Sequence, residues 1–297
     1  MMSVRRHSLQ DAAPIKASSH VGLWFDKFLK EQKGETLEPY EIHIKQTSEI
    51  GFSPVYKSFF ERWRATLQKM GAQIREADVV ARLAAGLGGE SVIENGLTFH
   101  HTYGVPIIPG SSLKGTARAY AAANLEGAWG VGEDDKGNKV YGDAFRTLFG
   151  GQALPSNEND SETDKERKKA RIGIAVFHDA LPVPGIFKFK IHNEVMTVHH
   201  KEYYQSGEQA PADWDSPTPI PFPSVSGRFL IAVHAAPQAE EWAASAMGIL
   251  KMALEEYGVG GKTSSGFGRL DILKPEPSPG EQFVADFLQQ LNDLPNN

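Results

Sequence analysis

The stretch that decides the fold is AEEWAASAMGILKMALEEYGVGGKTSSGFGRLDIL, residues 239–273. Its first half predicts a long amphipathic helix over Ala239–Tyr257, because apolar residues recur there at helical spacing. These residues are Trp242, Met247, Leu250 and Leu254. The last five residues, Arg269–Leu273, predict a strand. A segment with five glycines, Gly258–Gly268, joins this helix to this strand.

Upstream of this stretch, the sequence predicts a strand followed by a helix. Asp78–Leu87 (DVVARLAAGL) predicts a strand, and the turn Pro109-Gly110 precedes an alanine-rich helix that runs to about Leu125. Three more strands are predicted between the two helices: Ile172–Phe177, Phe187–Ile191 and Arg228–His234. Pairing of the middle strands would give a split βαβ pattern, so the predicted class is α+β with a ferredoxin-like, RRM-type domain.

The chain divides by composition into three predicted parts. Residues 1–75 form a helical N-terminal extension, with helices over Val21–Lys30 and, after Pro54, over Tyr56–Met70. Residues 76–274 form the ferredoxin-like domain, and residues 275–297 form an acidic tail. Three stretches of the domain are predicted to lack regular structure: a Gly- and Asp-rich loop at 126–143, a flexible insertion at 152–170 and a proline-rich connection at 205–223.

Charge and composition limit the possible partners. The chain has 297 residues, a formal net charge of -6 and no cysteine, which excludes disulfides and thiolate metal sites. The tail 275–297 carries four acids and no Lys or Arg, so the remainder has a charge of -2. RNA would therefore meet a local basic patch and not a basic protein. No apolar run reaches the length of a membrane span, and we expect a cytoplasmic protein without membrane partners.

The glycine-rich loop is the first candidate binding site. Glycine lets a backbone approach a ligand closely, and exposed N–H groups, a lysine and hydroxyls can hold phosphates. The candidate residues are Gly260, Gly261, Lys262, Thr263, Ser264 and Ser265. A nucleotide P-loop is disfavoured, because Glu256 occupies the place of its first glycine and the loop follows a helix and precedes a strand. A tight helix-to-strand turn without a ligand is the other alternative.

The segment Gly110–Arg118 is the second candidate site. Lys114 and Arg118 are four residues apart and share one face of the predicted helix. Ser111 or Ser112 is the predicted N-cap, and a helix N-terminus favours an anion. The alternative is a capped helix with two solvated cations.

Histidines occur in pairs at His100-His101 and His199-His200, and His178 precedes an aspartate. Adjacent side chains point to opposite faces of a strand, and no zinc-binding spacing is present. We therefore predict no metal and no cofactor, and assign His199 and His200 to RNA contact.

These residues resemble a known family. Pro109–Arg118, a turn followed by Ser-Ser-Leu-Lys-Gly-x-x-Arg, is similar to the motif of the RAMP superfamily, and Gly258–Gly268 resembles its C-terminal glycine-rich loop. Further stretches narrow the resemblance to the RAMP subunits of the type III-B (Cmr) CRISPR effector complex, in particular the sixth-named subunit. They are Arg82–His101, Phe149–Gly150 with Gly173–Pro182, and Asn193–Pro223.

The resemblance implies a non-catalytic subunit that binds the guide RNA (crRNA) and caps the backbone near the guide 3′ end. The partners it implies are crRNA, target RNA, the backbone RAMP subunit, the small helical subunit and the first-named RAMP subunit. It places the loop Gly258–Gly268 near RNA, and His199 and His200 match a histidine pair of this subunit. The aromatic base-stacking motif of ordinary RRMs is absent, so RNA contact should be to backbone and sugar.

Two other functions stay open at the level of the sequence. A RAMP-type endoribonuclease would act on CRISPR repeat or target RNA, and Asp26 and His43 would then be the positions to test. A protein–protein adaptor would use the acidic tail, whose apolar residues fall on one helix face.

Overall fold

The computed structural model describes residues 19–31, 38–89, 91, 92, 95–133, 137, 139–154, 156, 161–185, 189–198, 207, 210 and 217–274. Its helices are α1 (Val21–Lys27), α2 (Glu38–Ser48), α3 (Pro54–Lys69), α4 (Gly110–Asn124), α5 (Asp143–Phe149), α6 (Glu162–Lys168) and α7 (Glu240–Glu256). Its strands are β1 (Gln73–Val79), β2 (Val131–Glu133), β3 (Lys139–Tyr141), β4 (Gly150–Gly151), β5 (Arg171–Ile172), β6 (Ala175–Phe177), β7 (Leu181–Pro182), β8 (Lys190–Val198), β9 (Thr218–Ser226), β10 (Arg228–Ala235) and β11 (Leu270–Ile272).

The main sheet has the order β11-β1-β10-β6, and every neighbouring pair is antiparallel. Strand β7 also pairs with β10. The mixture of helices with an antiparallel sheet confirms the α+β class. In chain order, β1 precedes α4, β6 and β10 lie between α4 and α7, and β11 follows the glycine-rich loop that begins after α7.

Strand β10 shows how the sheet is buried on both faces. Phe229, Ile231 and Val233 belong to the large core that includes residues of α4 and α7. Leu230 and Ala232 belong to a second core with Tyr56, Phe60 and Leu67 of α3. All five β10 residues are fully buried, which explains why the strand reads as a continuous apolar run and not as an alternation.

The helices are close to those predicted. Pro54 begins α3, after the Ser53 hydroxyl that accepts from the backbone N–H of Tyr56 at 3.1 Å. Helix α1 ends at Lys27, three residues earlier than predicted. Helix α2 was not predicted; its buried residues include Tyr40, His43 and Ile44. These N-terminal helices share their core with the sheet, and the predicted boundary at 75/76 falls inside β1.

The prediction of a strand over Asp78–Leu87 is wrong for most of its length. Strand β1 spans Gln73–Val79, a largely polar sequence. Its polarity is accommodated because Glu76 and Asp78 bind the guanidinium of Arg228 on β10, with Arg228 Nε to Asp78 Oδ1 at 2.6 Å. Residues 82–84 leave the sheet and support the glycine-rich loop.

The proline-rich connection is also corrected. Residues 218–226 form β9, which pairs with β8 along its whole length. Pro219, Pro221 and Pro223 alternate, so each occupies the same kind of position in the ladder. In an antiparallel pair only every second residue exchanges N–H bonds with its partner, which lets alternate prolines fit.

Strand β8 begins at Lys190, and residues 187 and 188 of the predicted strand lie outside the described residues.

Two predicted loops contain regular structure. Residues 126–143 include the short hairpin of β2 and β3. The insertion 152–170 contains α6, and its base is held by Arg146, whose Nη2 donates to the carbonyls of Gln152 at 3.1 Å and Lys169 at 2.7 Å. A single arginine thus joins both ends of the insertion. The acidic tail 275–297 lies outside the described residues.

Candidate nucleic-acid interface

The glycine-rich loop Gly258–Gly268 turns back on itself between α7 and β11. Positive φ angles occur at four of its glycines: Gly258, Gly260, Gly266 and Gly268. Gly268 is the clearest requirement, because a Cβ there would lie 1.9 Å from the carbonyl oxygen of Val259, and a Cβ at Gly260 would lie 2.6 Å from that of Ala84. Lys262 adopts φ 59°, a conformation that is uncommon for a residue with a side chain. The sequence of the loop is therefore dictated by its path.

The loop is fastened to the segment that follows β1. The N–H of Gly261 donates to the carbonyl of Ala84 at 2.7 Å, and the N–H of Gly268 donates to that of Arg82 at 2.7 Å. Within the loop, the N–H of Ser265 donates to Lys262 O at 2.9 Å. The backbone donors of Gly261 and Ser265 thus serve the fold, so the expectation that loop N–H groups hold phosphates does not apply to these two.

Apart from Val259, which is buried in the main core, the side chains of the loop are exposed or half-buried. Ser264 and Ser265 are exposed, and Lys262 and Thr263 are half-buried. The Lys262 ammonium lies 5.3 Å from the centre of the Phe222 ring on β9. The ring centres of Phe222 and Phe267 are 5.6 Å apart. This cation–π contact holds the lysine against the β8–β9 ribbon while leaving the hydroxyls open.

Helix α4 begins differently from the prediction. Its N-cap is Pro109, which has no side-chain donor or acceptor, and neither Ser111 nor Ser112 caps the helix. The Asp179 carboxylate accepts from the N–H of Gly110 at 2.7 Å instead. A carboxylate from a residue 69 positions away stabilises the helix start, so the helix N-terminus is already occupied by an anion of the chain itself.

Lys114 and Arg118 lie one turn apart on α4, as predicted, and together face a cleft. Burial lowers the pKa of Lys114, and the nearby charge of Arg118 lowers it further. The Arg118 guanidinium carbon lies 5.4 Å from the Phe145 ring centre and 6.0 Å from that of Tyr141. The cleft has a volume of about 690 Å³ and lies between α4, α5 and the β4–β5 ribbon.

The cleft contains two further arginines that lie outside the two candidate segments. Arg146 on α5 is buried, and burial and the neighbouring Arg171 lower its pKa. Arg171 opens β5 on the opposite side. They are 25 residues apart in the chain, which hides their proximity. The only available signal was an arginine placed among the apolar residues of a short helix, Ala144, Phe145, Leu148 and Phe149.

The two candidate sites lie on different surfaces, but α4, which carries the first, is hydrogen-bonded to α7, which precedes the second. The Tyr120 hydroxyl of α4 donates to Glu256 Oε1 of α7 at 3.0 Å, and Asn124 Nδ2 donates to the Tyr257 hydroxyl at 2.7 Å. These bonds fix the end of α4 against the residue that precedes the loop. Lys262 packs on the β8–β9 ribbon, whereas Lys114 lines the cleft. His199 and His200 lie outside the described residues.

A profile of the RAMP superfamily matches residues 42–271, a range that contains both candidate sites. The chain belongs to the RAMP superfamily. This RAMP chain is 32% identical over 273 residues to the CRISPR system Cmr subunit Cmr6 of Pyrococcus furiosus. That match covers 80% of this chain and 78% of the relative.

Solved structures add to the comparison. A chain in the cryo-EM structure of the type III-B Cmr-beta bound to cognate target RNA has a TM-score of 0.52 at 18% identity, covering 80% of this chain and 73% of that one. This likeness concerns the fold alone. The crystal structure of Cmr6 from Pyrococcus furiosus has 30% identity and a TM-score of 0.38, covering 68% of this RAMP chain and 98% of that one.

His43 and Asp26 are the titratable groups of the RAMP chain that a nuclease would use. His43 is buried, with Nε2 2.9 Å from the carbonyl oxygen of Phe25. Burial raises the pKa of Asp26, while Lys27 and His20 oppose the rise.

In the part of the chain that the structure describes, no group of three or more His, Cys, Asp or Glu could hold a metal ion. No described helix is long and apolar enough to cross a bilayer.

Proposed function

We propose that the chain is a non-catalytic crRNA-binding and assembly subunit of a type III-B CRISPR effector complex, and that it caps the backbone near the guide 3′ end. The observation that carries the proposal is the pair Lys114 and Arg118 in a cleft with two further arginines, within the matched RAMP region. A relative of similar length named as a Cmr subunit supports the choice of complex.

The proposal extends to the architecture of the domain. We regard the core as ferredoxin-like, because β1, β6, β10 and β11 with α4 and α7 follow the order strand, helix, strand, strand, helix, strand. Their sheet order β11-β1-β10-β6 supports this view. The N-terminal helices and the β8–β9 ribbon would then be additions to that core.

The proposed partners are crRNA, target RNA, the backbone RAMP subunit, the small helical subunit and the first-named RAMP subunit, in the cytoplasm. A chain of similar fold occurs in a type III-B Cmr-beta complex bound to cognate target RNA, which supports RNA as a partner. RNA contact would be to phosphate and sugar, because the candidate side chains are cations and hydroxyls. Such contacts tolerate the variable spacer of a guide.

A RAMP-type endoribonuclease is the rival function. His43 does not favour it, because the ring lies in the core against a backbone carbonyl and has little access to a substrate. Asp26 is a half-buried residue of α1 whose nearby titratable partners are Lys27 and His20. Neither arrangement provides an acid and a base positioned on a shared open site.

The test is to incubate the full chain and the assembled complex with labelled guide, repeat and target RNA in the presence of divalent metal. We expect the assembled complex to retain the guide, and we expect the full chain on its own to leave every RNA at its original length. Cleavage by the full chain that disappears in Asp26→Ala or His43→Ala would overturn the non-catalytic assignment. Failure to retain guide RNA in the assembled complex would overturn the binding assignment.

A further inference from the structure

Two cavities adjoin on the outer face of α4. The larger, about 690 Å³, is the cleft with Lys114, Arg118, Arg146 and Arg171. The smaller, about 420 Å³, lies on the other side of Arg118 and is bounded by Lys139 and the β2–β3 hairpin. Arg118 and Tyr141 line both cavities, so the two are adjacent and share this pair of side chains as a common wall.

The charges along these cavities have one predominant sign. The described lining of the larger cavity contains four basic side chains and no carboxylate. The smaller cavity adds Lys139, with Glu133 as the single acid of its described lining. In a protein of net charge -6, this concentration of cations at one place predicts an anionic ligand. Since burial and Arg118 disfavour the charged form of Lys114, a bound anion would relieve that cost.

The arrangement of the two cavities favours an extended polyanion over a single small anion. Arg118 stands between them, held over Phe145 and Tyr141, so a ligand that fills both must pass the guanidinium. A polyanion with repeated charges meets this requirement, because successive phosphates can contact cations on both sides of Arg118. Tyr141, which is half-buried and borders both cavities, offers a ring face to a base or ribose.

We propose that the two cavities form one groove that binds at least two successive nucleotides of single-stranded RNA, with Arg171 and Lys139 contacting phosphates at its two ends. The inference rests on the proposed RNA-binding function and deepens it by assigning a groove and two residues that neither the motif nor the glycine-rich loop contains. Arg118 would contact the phosphate between the two nucleotides.

The experiment measures binding of fluorescent oligouridylate to the full chain by anisotropy at several salt concentrations. We expect Lys139→Ala with Arg171→Ala to weaken binding about tenfold and to reduce the salt slope by about 1.4, which is two contacts at about 0.7 each for single strands. The control Arg62→Ala with Lys251→Ala removes the same charges from exposed positions on α3 and α7 and should bind within about twofold of the unaltered chain. Lys139→Arg with Arg171→Lys keeps both charges and should retain binding.

Competition separates a strand from a single phosphate or nucleotide. Inorganic pyrophosphate and uridine monophosphate should compete weakly, and uridine oligomers should compete better as they lengthen from one to four nucleotides. Equal binding by the Lys139/Arg171 variant and its control would overturn the groove, as would a monophosphate that competes as well as the tetramer. Absence of binding by the unaltered chain at low salt would also overturn it.

The failure of the groove is distinguishable from that of the proposed function. If guide RNA is retained by the assembled complex, and retained equally with the Lys139/Arg171 variant, only the groove is wrong. If the complex that contains the unaltered chain retains no guide RNA, the proposed function itself is wrong.

Discussion

At the residue scale, Lys114 and Lys262 are the two lysines that the sequence predicts for RNA binding and that the structure places at candidate RNA surfaces. We expect the double substitution Lys114→Ala, Lys262→Ala to weaken guide RNA binding about tenfold and to lower the salt slope by about 1.4. The reason is loss of two phosphate contacts with little loss of packing. The measurement is a salt titration of RNA affinity, with thermal unfolding to verify the fold. Lys57→Ala with Lys251→Ala removes the same charge from exposed helix positions and serves as the control; equal affinity of both variants would show that the RNA surface lies elsewhere.

His178 and His234 give a residue-scale prediction of pH dependence. His178 Nε2 and His234 Nδ1 are 2.8 Å apart, so one ring donates to the other. Burial and the neighbouring His234 lower the pKa of His178, against an opposing effect of Asp179. Below about pH 6.5 the unfolded chain therefore binds more protons than the folded chain, and stability falls as the pH falls.

The check is urea unfolding at pH 7.5 and pH 5.5. We expect the free energy of unfolding to be lower at pH 5.5 and the difference to shrink in His178→Gln. Burial also lowers the pKa values of His100 and His192, so part of the difference should remain. The exposed His101→Gln is the control. A pH difference that is the same in His178→Gln as in the control would contradict the assignment.

Residue-level prediction from sequence had a clear limit. Lys114, Arg118 and Lys262 were identified because their spacing and glycine context are local properties. The proximity of Arg146 and Arg171 was not predicted, because α6 and the β4–β5 ribbon bring them together across the insertion. The donor of Gly261 was misassigned because its acceptor, Ala84, belongs to a segment that was predicted to be a strand.

At the element scale, contact between α4 and β6 depends on Gly110. A Cβ at this position would lie 2.1 Å from the carbonyl oxygen of Phe177. We expect Gly110→Ala to separate the helix from the strand and to lower the free energy of unfolding by about 1–3 kcal/mol. Gly115→Ala, in the same helix with open space around it, should stabilise by about 0.5–1 kcal/mol. Urea unfolding of the two variants measures both effects, and equal stability would contradict the described packing.

Elements with a strong local pattern were predicted well. Helices α3, α4 and α7 carry periodic apolar faces, and β10 is an apolar run bounded by turns. Strands β1 and β9 were not placed correctly, because the polar residues of β1 are stabilised by Arg228 and the prolines of β9 by their alternation opposite β8. Both causes are pairings between distant parts of the chain, which a local pattern does not contain.

At the scale of the whole molecule, an acidic chain carries a groove of basic residues on α4 and a lysine-bearing loop after α7. The loop is connected to the sheet on both sides, because β10, α7, the loop and β11 follow one another in the chain. The excess of acids elsewhere suits a subunit that meets RNA at a limited surface and other subunits at the remainder. Membership in the RAMP superfamily and the relation to a Cmr subunit agree with this distribution.

The central claim is tested most directly by affinity purification of the tagged full chain from its source organism, with sequencing of the bound RNA and identification of the co-purifying proteins. We expect CRISPR guide RNAs together with other RAMP subunits of a type III-B complex. Recovery of the chain alone, without RNA or RAMP partners, would contradict the account.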